Sequence, residues 1–199
     1  MPLTLHENWY HDDQILDLLE KVKLAKENIP NGFFIEIGCW EGKSTVAIAN
    51  EIFPRYLDCV DNWKGNGEYY ESGITDILKT RDVYSVFEDN IKNNTRGNYF
   101  IFRMDQIEYL KKLSELISQS VSFIHLDGPH DYDSVKTSLD LILPLMIPGG
   151  IICGDDFINS NSKREDLNGG VEKAVRDTWP DFEHDTSVRS LNFWYKEIK

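Results

Sequence analysis

The sequence predicts an α/β fold, a mainly parallel sheet with helices on both faces. Three observations predict it. Five short apolar runs, each bounded by Gly, Asn or Asp, read as strands buried on both sides. Amphipathic stretches alternate with these runs, the pattern of a parallel sheet covered by helices. After Trp179 the alternation stops, and two strand-like stretches follow with no helix between them.

An opening helix is expected over residues 13–27, with Ile15, Leu18, Leu19 and Val22 on one face, inside an N-terminal helical extension covering 1–30. "GFFIEIG" (32–38) is the first strand, and a helix follows over 44–53. "YLDCVD" (56–61) is the second strand. Residues 63–79 fit no regular element and read as a lid insertion, 63–80, or an ordinary surface insertion, with Trp63, Tyr69 and Tyr70 set among Gly65, Gly67 and Gly73. A helix over 81–94 places Val83, Val86, Phe87 and Ile91 together, and "NYFIFRM" (98–104) is the third strand. The next helix, 105–117, aligns Ile107, Leu110, Leu113 and Ile117. "SVSFIHLD" (120–127) is the fourth strand, with a helix over 131–146 behind it. "GGIICGDDF" (149–157) is the fifth, and the loop 159–167 beyond it carries Lys163 and Arg164, which read either as contacts for an anionic group or simply as solvated charge. After a helix over 168–179, "FEHDTSV" (182–188) and "SLNFWYKEI" (190–198) read as a terminal antiparallel hairpin, which makes seven strands in one domain of 199 residues.

The net charge of −13 argues against nucleic-acid binding, which needs a clustered positive surface. No apolar run reaches the length of a membrane span, and "MPLTLHENWYHDDQ" lacks a secretory pattern, so a cytoplasmic protein is expected. Cys39, Cys59 and Cys153 are odd in number, far apart and set in or beside apolar runs, which reads as buried free thiols.

"GCWEGKST" (38–45) raises the question of function. A phosphate-binding P-loop needs four residues between its glycines, and Gly38 and Gly42 have three. A dinucleotide fingerprint needs glycine where Trp40 stands. A tight strand–helix turn with no ligand is the third reading. Gly38 would let the chain turn, Gly42 would open the helix, and Ser44 and Thr45 are good first-turn hydrogen-bonding residues. Asp61 ends the second strand, where an acid can accept from two ribose hydroxyls. That favours a nucleoside-bearing cofactor over a triphosphate.

A second constellation joins the ends of strands four and five. Asp127 ends the fourth strand, His130 follows it, and Asp155 and Asp156 end the fifth. Neighbouring strands lie about 5 Å apart, so these carboxylates can converge. Close carboxylates repel unless a cation or a shared proton intervenes, and a hard divalent ion such as Mg²⁺ suits them. The competing reading has alternate residues facing away across the pleat, and strand-end acids serving as helix caps. His125 lies mid-strand and reads as a core histidine.

On these residues the chain resembles the class I S-adenosylmethionine-dependent methyltransferases, over residues 31–199. The acid, one residue, then glycine of Glu36-Ile37-Gly38 matches the family's first-strand end, and Trp40 departs from its usual glycine. "LDG-x-H-x-Y" (126–132), "PGG-x-x-x-x-DD" (148–156), "VDNWKG" (60–65) and "GGVEKAV" (169–175) are similar to the metal-dependent macrolide-sugar O-methyltransferases and cephalosporin-biosynthesis-type proteins. The resemblance implies the Rossmann-like class I methyltransferase fold. It implies S-adenosylmethionine contacts by Glu36, Gly38, Gly42, Ser44 and Thr45 at the methionine end. Asp61 and Asn62 would serve the ribose, Asp105 the adenine side, and Asp127 would close the site. It further implies Mg²⁺ ligation by Asp127, Asp155 and Asp156, with His130 as base and Asp127 beside it in catalysis. The implied acceptor is a small hydroxylated molecule, a sugar or secondary metabolite. A homo-oligomer is compatible with this reading. A non-catalytic nucleoside-binding module and a P-loop phosphotransferase using Lys43 are the alternatives weighed.

Overall fold

The computed structural model describes residues 2–7, 9–65, 72–158 and 169–199. Among them the chain runs α1 (Asp12–Asn28), β1 (Phe33–Ile37), α2 (Lys43–Ile52), β2 (Leu57–Asp61), α3 (Ser72–Thr80), α4 (Val83–Asn94), β3 (Tyr99–Arg103), α5 (Gln106–Leu116), β4 (Val121–Leu126), α6 (Tyr132–Ile142), β5 (Met146–Gly154), α7 (Gly170–Thr178) and β6 (Trp194–Glu197). The sheet order is β3-β2-β1-β4-β5-β6, parallel except for β6.

Period-two alternation along the strands divides the core. Phe34, Cys59, Phe123, Ile151 and Cys153 face one layer, built on Leu18 and Val22 of α1, Ile48 and Ile52 of α2, and Phe87 and Ile91 of α4. Ile35, Ile37, Val60, Ile124 and Ile152 face the other, built on Leu110 of α5, Leu139 of α6 and Ala174 and Val175 of α7. All three cysteines are buried free thiols, as expected. Three acids start helices: the side chains of Asp82, Asp105 and Asp131 accept backbone N–H in the first turn of the helix that follows. No described helix is long and apolar enough to cross a membrane.

Four expectations change. Among the described residues the sheet has six strands, not seven. The C-terminal antiparallel pairing is present, and β6 makes it with β5 rather than with residues 182–188. Asp185 accepts from Ser187 N at 2.9 Å and from Tyr195 Oη at 2.9 Å, so this stretch satisfies its polar groups locally as a turn. The helix expected over 131–146 stops at Ile142, and a 3-10 turn carrying Pro144 leads into β5. Part of the expected irregular insertion is α3, where Ile74, Ile77 and Leu78 give a helical spacing. Gly67, Tyr69, Tyr70, Lys163 and Arg164 lie outside the described residues.

Candidate active site

The chain reverses its direction of travel across the sheet between β1 and β4, which is where open α/β sheets bind ligands at their C-terminal ends. A cavity of about 500 Å³ opens there. Gly38 ends β1 with φ 85°, and a Cβ on it would stand 2.0 Å from the Asp127 carbonyl oxygen. Only glycine lets the two strand ends meet this closely. Gly42 caps α2 with φ 86°, and Ser44 lines the cavity behind it.

Asp61 holds the turn. Its Oδ2 accepts from Trp40 N at 3.0 Å and its Oδ1 from Trp63 N at 2.7 Å. Trp40 and Trp63 both have positive φ, 46° and 51°, and Trp63 Nε1 also donates to the Trp40 carbonyl at 2.9 Å. Burial lifts the Asp61 carboxyl above its ordinary range in spite of these donors. Asn62 lines the wall beside it, its side chain reaching Gly65 O at 3.2 Å and accepting from Lys64 N at 2.7 Å. Asp105 lines the far end; its Oδ1 accepts from Ile107 N and Glu108 N at 2.8 and 3.2 Å.

Glu36 and Thr45 do not face the cavity. Glu36 is fully buried, accepts from Thr45 Oγ1 at 2.5 Å and lies 3.3 Å from His125 Nδ1. Glu36 and His125 are register partners on adjacent strands, on the α1–α2 side of the sheet. Tyr10 Oη, 3.3 Å from His125 Nε2, carries this chain back to the cavity wall. So His125 is a partnered core histidine, and the first-strand acid fastens α2 to the sheet from behind.

At the ends of β4 and β5, Asp127, His130 and Asp156 converge, with one potential ligand atom from each within 4.8 Å of the others. His130 Nε2 is 3.1 Å from Asp156 Oδ2 and 3.7 Å from Asp127 Oδ1. Burial opposes charge on this imidazole, but Asp127, Asp156 and Asp155 outweigh it and push it up to about 9. Asp155 stands deeper, and burial together with Asp127 and Asp156 raises it to about 7. The sequence grouped Asp155 with Asp156 as a pair. The strand end separates them: Asp155 turns inward to α1, and Asp156 reaches the histidine from a left-handed backbone, φ 58°.

The N-terminal segment, left open by the sequence, completes the wall with Leu5, Glu7, Trp9, Tyr10 and Gln14. It is tied to the glycine turn. Glu7 Oε2 accepts from Trp40 Nε1 at 3.3 Å and from Arg81. Glu41, 2% exposed, receives Arg81 and His6, each at 2.8 Å. Trp9 and Trp40 pack with ring centroids 5.2 Å apart. The Trp40 side chain thus points to the N-terminal segment, while Lys43 pairs with Asp12 at 2.8 Å.

The profile of a family described as a methyltransferase domain matches residues 35–157, more than half of the chain and the span from β1 to the acidic strand end of β5. The chain belongs to this family. It is an S-adenosylmethionine-dependent methyltransferase. No curated protein sequence matches it. Among solved structures, the methyltransferase is similar to the O-methyltransferase NovP at 16% identity, covering 94% of this chain and 80% of that one with a TM-score of 0.66. It is similar to CalS11, a TDP-rhamnose 3'-O-methyltransferase of calicheamicin biosynthesis, at 15% identity, with 94% and 80% coverage and a TM-score of 0.59. An O-methyltransferase from Bacillus cereus in complex with SAH matches at 16% identity, with 87% and 71% coverage and a TM-score of 0.59. At these identities the likeness is one of fold.

Proposed function

We propose that this methyltransferase methylates a hydroxyl oxygen of a small molecule, a sugar or secondary metabolite, with the help of a divalent cation such as Mg²⁺. One observation carries the reading. The acidic cluster of Asp127, His130, Asp155 and Asp156 opens into the same cavity as Gly38, Asp61 and Asp105. The donor set fits both groups. Asp61 receives backbone N–H groups from Trp40, Trp63 and Cys39 and lines the cavity with acceptor capacity left for a ribose hydroxyl. Asp105 uses Oδ1 alone in its cap and keeps Oδ2 for the adenine side. Asp127 and Asp156 present hard oxygens for a cation, and the Oδ1 of Asp155 is buried without a hydrogen-bond partner. The sugar class is supported by the fold shared with CalS11.

When bound, S-adenosylmethionine supplies an activated methyl group and a divalent cation lowers the pKa of a nearby hydroxyl. The protein supplies alignment. The Gly38 turn and Asp61 hold the donor end of the cavity, and Asp127, at the β1–β4 junction, lies between the two halves. His130 takes the hydroxyl proton at Nε2, which faces the cluster. The three acids favour its charged form, and a cation held by Asp127 and Asp156 would oppose that form and leave the neutral base available.

The test is calorimetry with S-adenosylhomocysteine, followed by methyl transfer to TDP-sugars and a panel of hydroxylated metabolites. We expect micromolar cofactor binding, and turnover that stops in EDTA and returns with excess Mg²⁺. Turnover undiminished by EDTA would remove the cation. Transfer confined to nitrogen or carbon acceptors would remove the hydroxyl.

A further inference from the structure

Asp155 is 8% exposed at the strand end of β5, and its two oxygens have unlike surroundings. Oδ2 accepts from Gln14 Nε2 at 2.5 Å. Oδ1 is buried with no hydrogen-bond partner among the described residues. Gln14 is itself only 3% exposed, at the start of α1. Its own Oε1 accepts from His11 N at 2.6 Å.

That second bond decides which end of the amide faces the acid. The His11 N–H can only donate, so the atom it meets must be the carbonyl oxygen. The NH₂ group is therefore turned to Asp155 and cannot flip without breaking both bonds. Helix α1 holds this arrangement still. Leu18, Val22 and Ala25 are fully buried, and α1 packs on α2, β4 and β5. Asp17, one turn on, is 1% exposed and accepts from Arg189 Nη1 at 2.7 Å and Ser190 N at 3.0 Å. The donor is thus built into a helix anchored at several points.

We infer that Gln14 is a positioning residue: its amide fixes Oδ2 of Asp155 and so holds this buried carboxylate beside the Asp127–His130–Asp156 cluster that would take the cation. This rests on the divalent-cation reading of the acidic cluster. It also gives the N-terminal helix a task that packing alone does not require. A hydrophobic side chain at position 14 would fill the same buried space, yet would take from a buried carboxylate its side-chain donor. Groups that orient a metal ligand from behind typically change metal affinity by about 10–100-fold when removed.

The experiment is Mn²⁺ titration by electron paramagnetic resonance on the full chain, for the wild type, Gln14→Met, Asp155→Asn and the double variant. Gln14→Met is expected to weaken Mn²⁺ binding about 10-fold or more while S-adenosylhomocysteine affinity stays unchanged. In the Asp155→Asn background the same substitution is expected to change Mn²⁺ affinity less than twofold or so, because its effect passes through Asp155. Equal Mn²⁺ affinity in the wild type and Gln14→Met would overturn the assignment and leave the cation reading intact. So would an equal loss in both backgrounds, which marks a general disturbance of α1. A wild type that binds no Mn²⁺ would overturn the cation reading itself, and this inference with it. Should Gln14→Met not fold, Gln14→Glu keeps an acceptor for His11 N but sets a carboxylate against Asp155. That variant is expected to shift Mn²⁺ affinity by about fivefold or more, and an unchanged value would overturn the role.

Discussion

Asp156→Asn lowers the methyl-transfer rate by about 10²-fold or more and leaves S-adenosylhomocysteine affinity within about twofold. The substitution is chosen for its small structural cost. Asp156 has φ 58°, and asparagine tolerates the left-handed region as well as aspartate does. The shape of the side chain is kept and one negative charge is lost. Asp156 lies 3.1 Å from His130 Nε2 and belongs to the cluster with Asp127, in the same cavity as Gly38 and Asp61. A loss of turnover with intact cofactor binding would therefore separate the acceptor half of the cavity from the donor half. Single-turnover transfer and calorimetry on the same preparation check it. A variant that turns over at the wild-type rate would show that this acid takes no part in the chemistry.

Gly38→Ala destabilises the protein by about 3 kcal/mol or more, a fall in Tm of about 10 °C for a chain of this size. Two costs add. The backbone at φ 85° disfavours any side chain, and the new methyl group would meet backbone, 2.0 Å from the Asp127 oxygen and 2.4 Å from its carbonyl carbon. Backbone cannot rotate aside as a side chain can. Gly42→Ala is the comparison: its φ is nearly the same, but the nearest atoms are ring carbons of Phe87 at 3.0 Å and a methyl group of Ile91 at 3.3 Å. Thermal unfolding should rank Gly38→Ala well below Gly42→Ala. The reverse ranking would mean that the two strand ends do not meet as described.

Much of this was legible in the chain. The strands were readable because each is short, apolar and bounded by turn residues, and because residues such as Ile35, Val60 and Ile124 must be buried on both faces of a covered sheet. The turn at Gly38 and the acid at Asp61 were readable because sheet topology brings strand ends together whatever the side chains between them. Residues 182–188 misled because alternation resembles a strand even when an Asp–Ser turn satisfies the backbone. Helix α3 was hidden by the glycines and aromatics before it. The distinction between Asp155 and Asp156 could not be read, since it depends on a left-handed residue at the strand end and a glutamine 141 positions earlier. The same holds for Glu36. Its spacing before Gly38 matches a ligand-binding pattern, yet the pleat turns it to the side of Thr45 and His125.

The meeting of Trp9 and Trp40 at the cavity wall, with Trp63 bonded to the Trp40 carbonyl, has an optical consequence. Three of the five tryptophans in the chain stand at one end of the active site. Trp179 and Trp194 form a separate pair in the opposite layer, 6.5 Å apart, and Trp194 lies beside His130 and Asp155 at the acidic cluster. The native emission of the enzyme is therefore divided into a component that responds to whatever settles against the glycine turn and a second, from Trp194, that lies beside the acidic cluster. The chain carries a built-in reporter of its own occupancy, readable without label or coupled reaction.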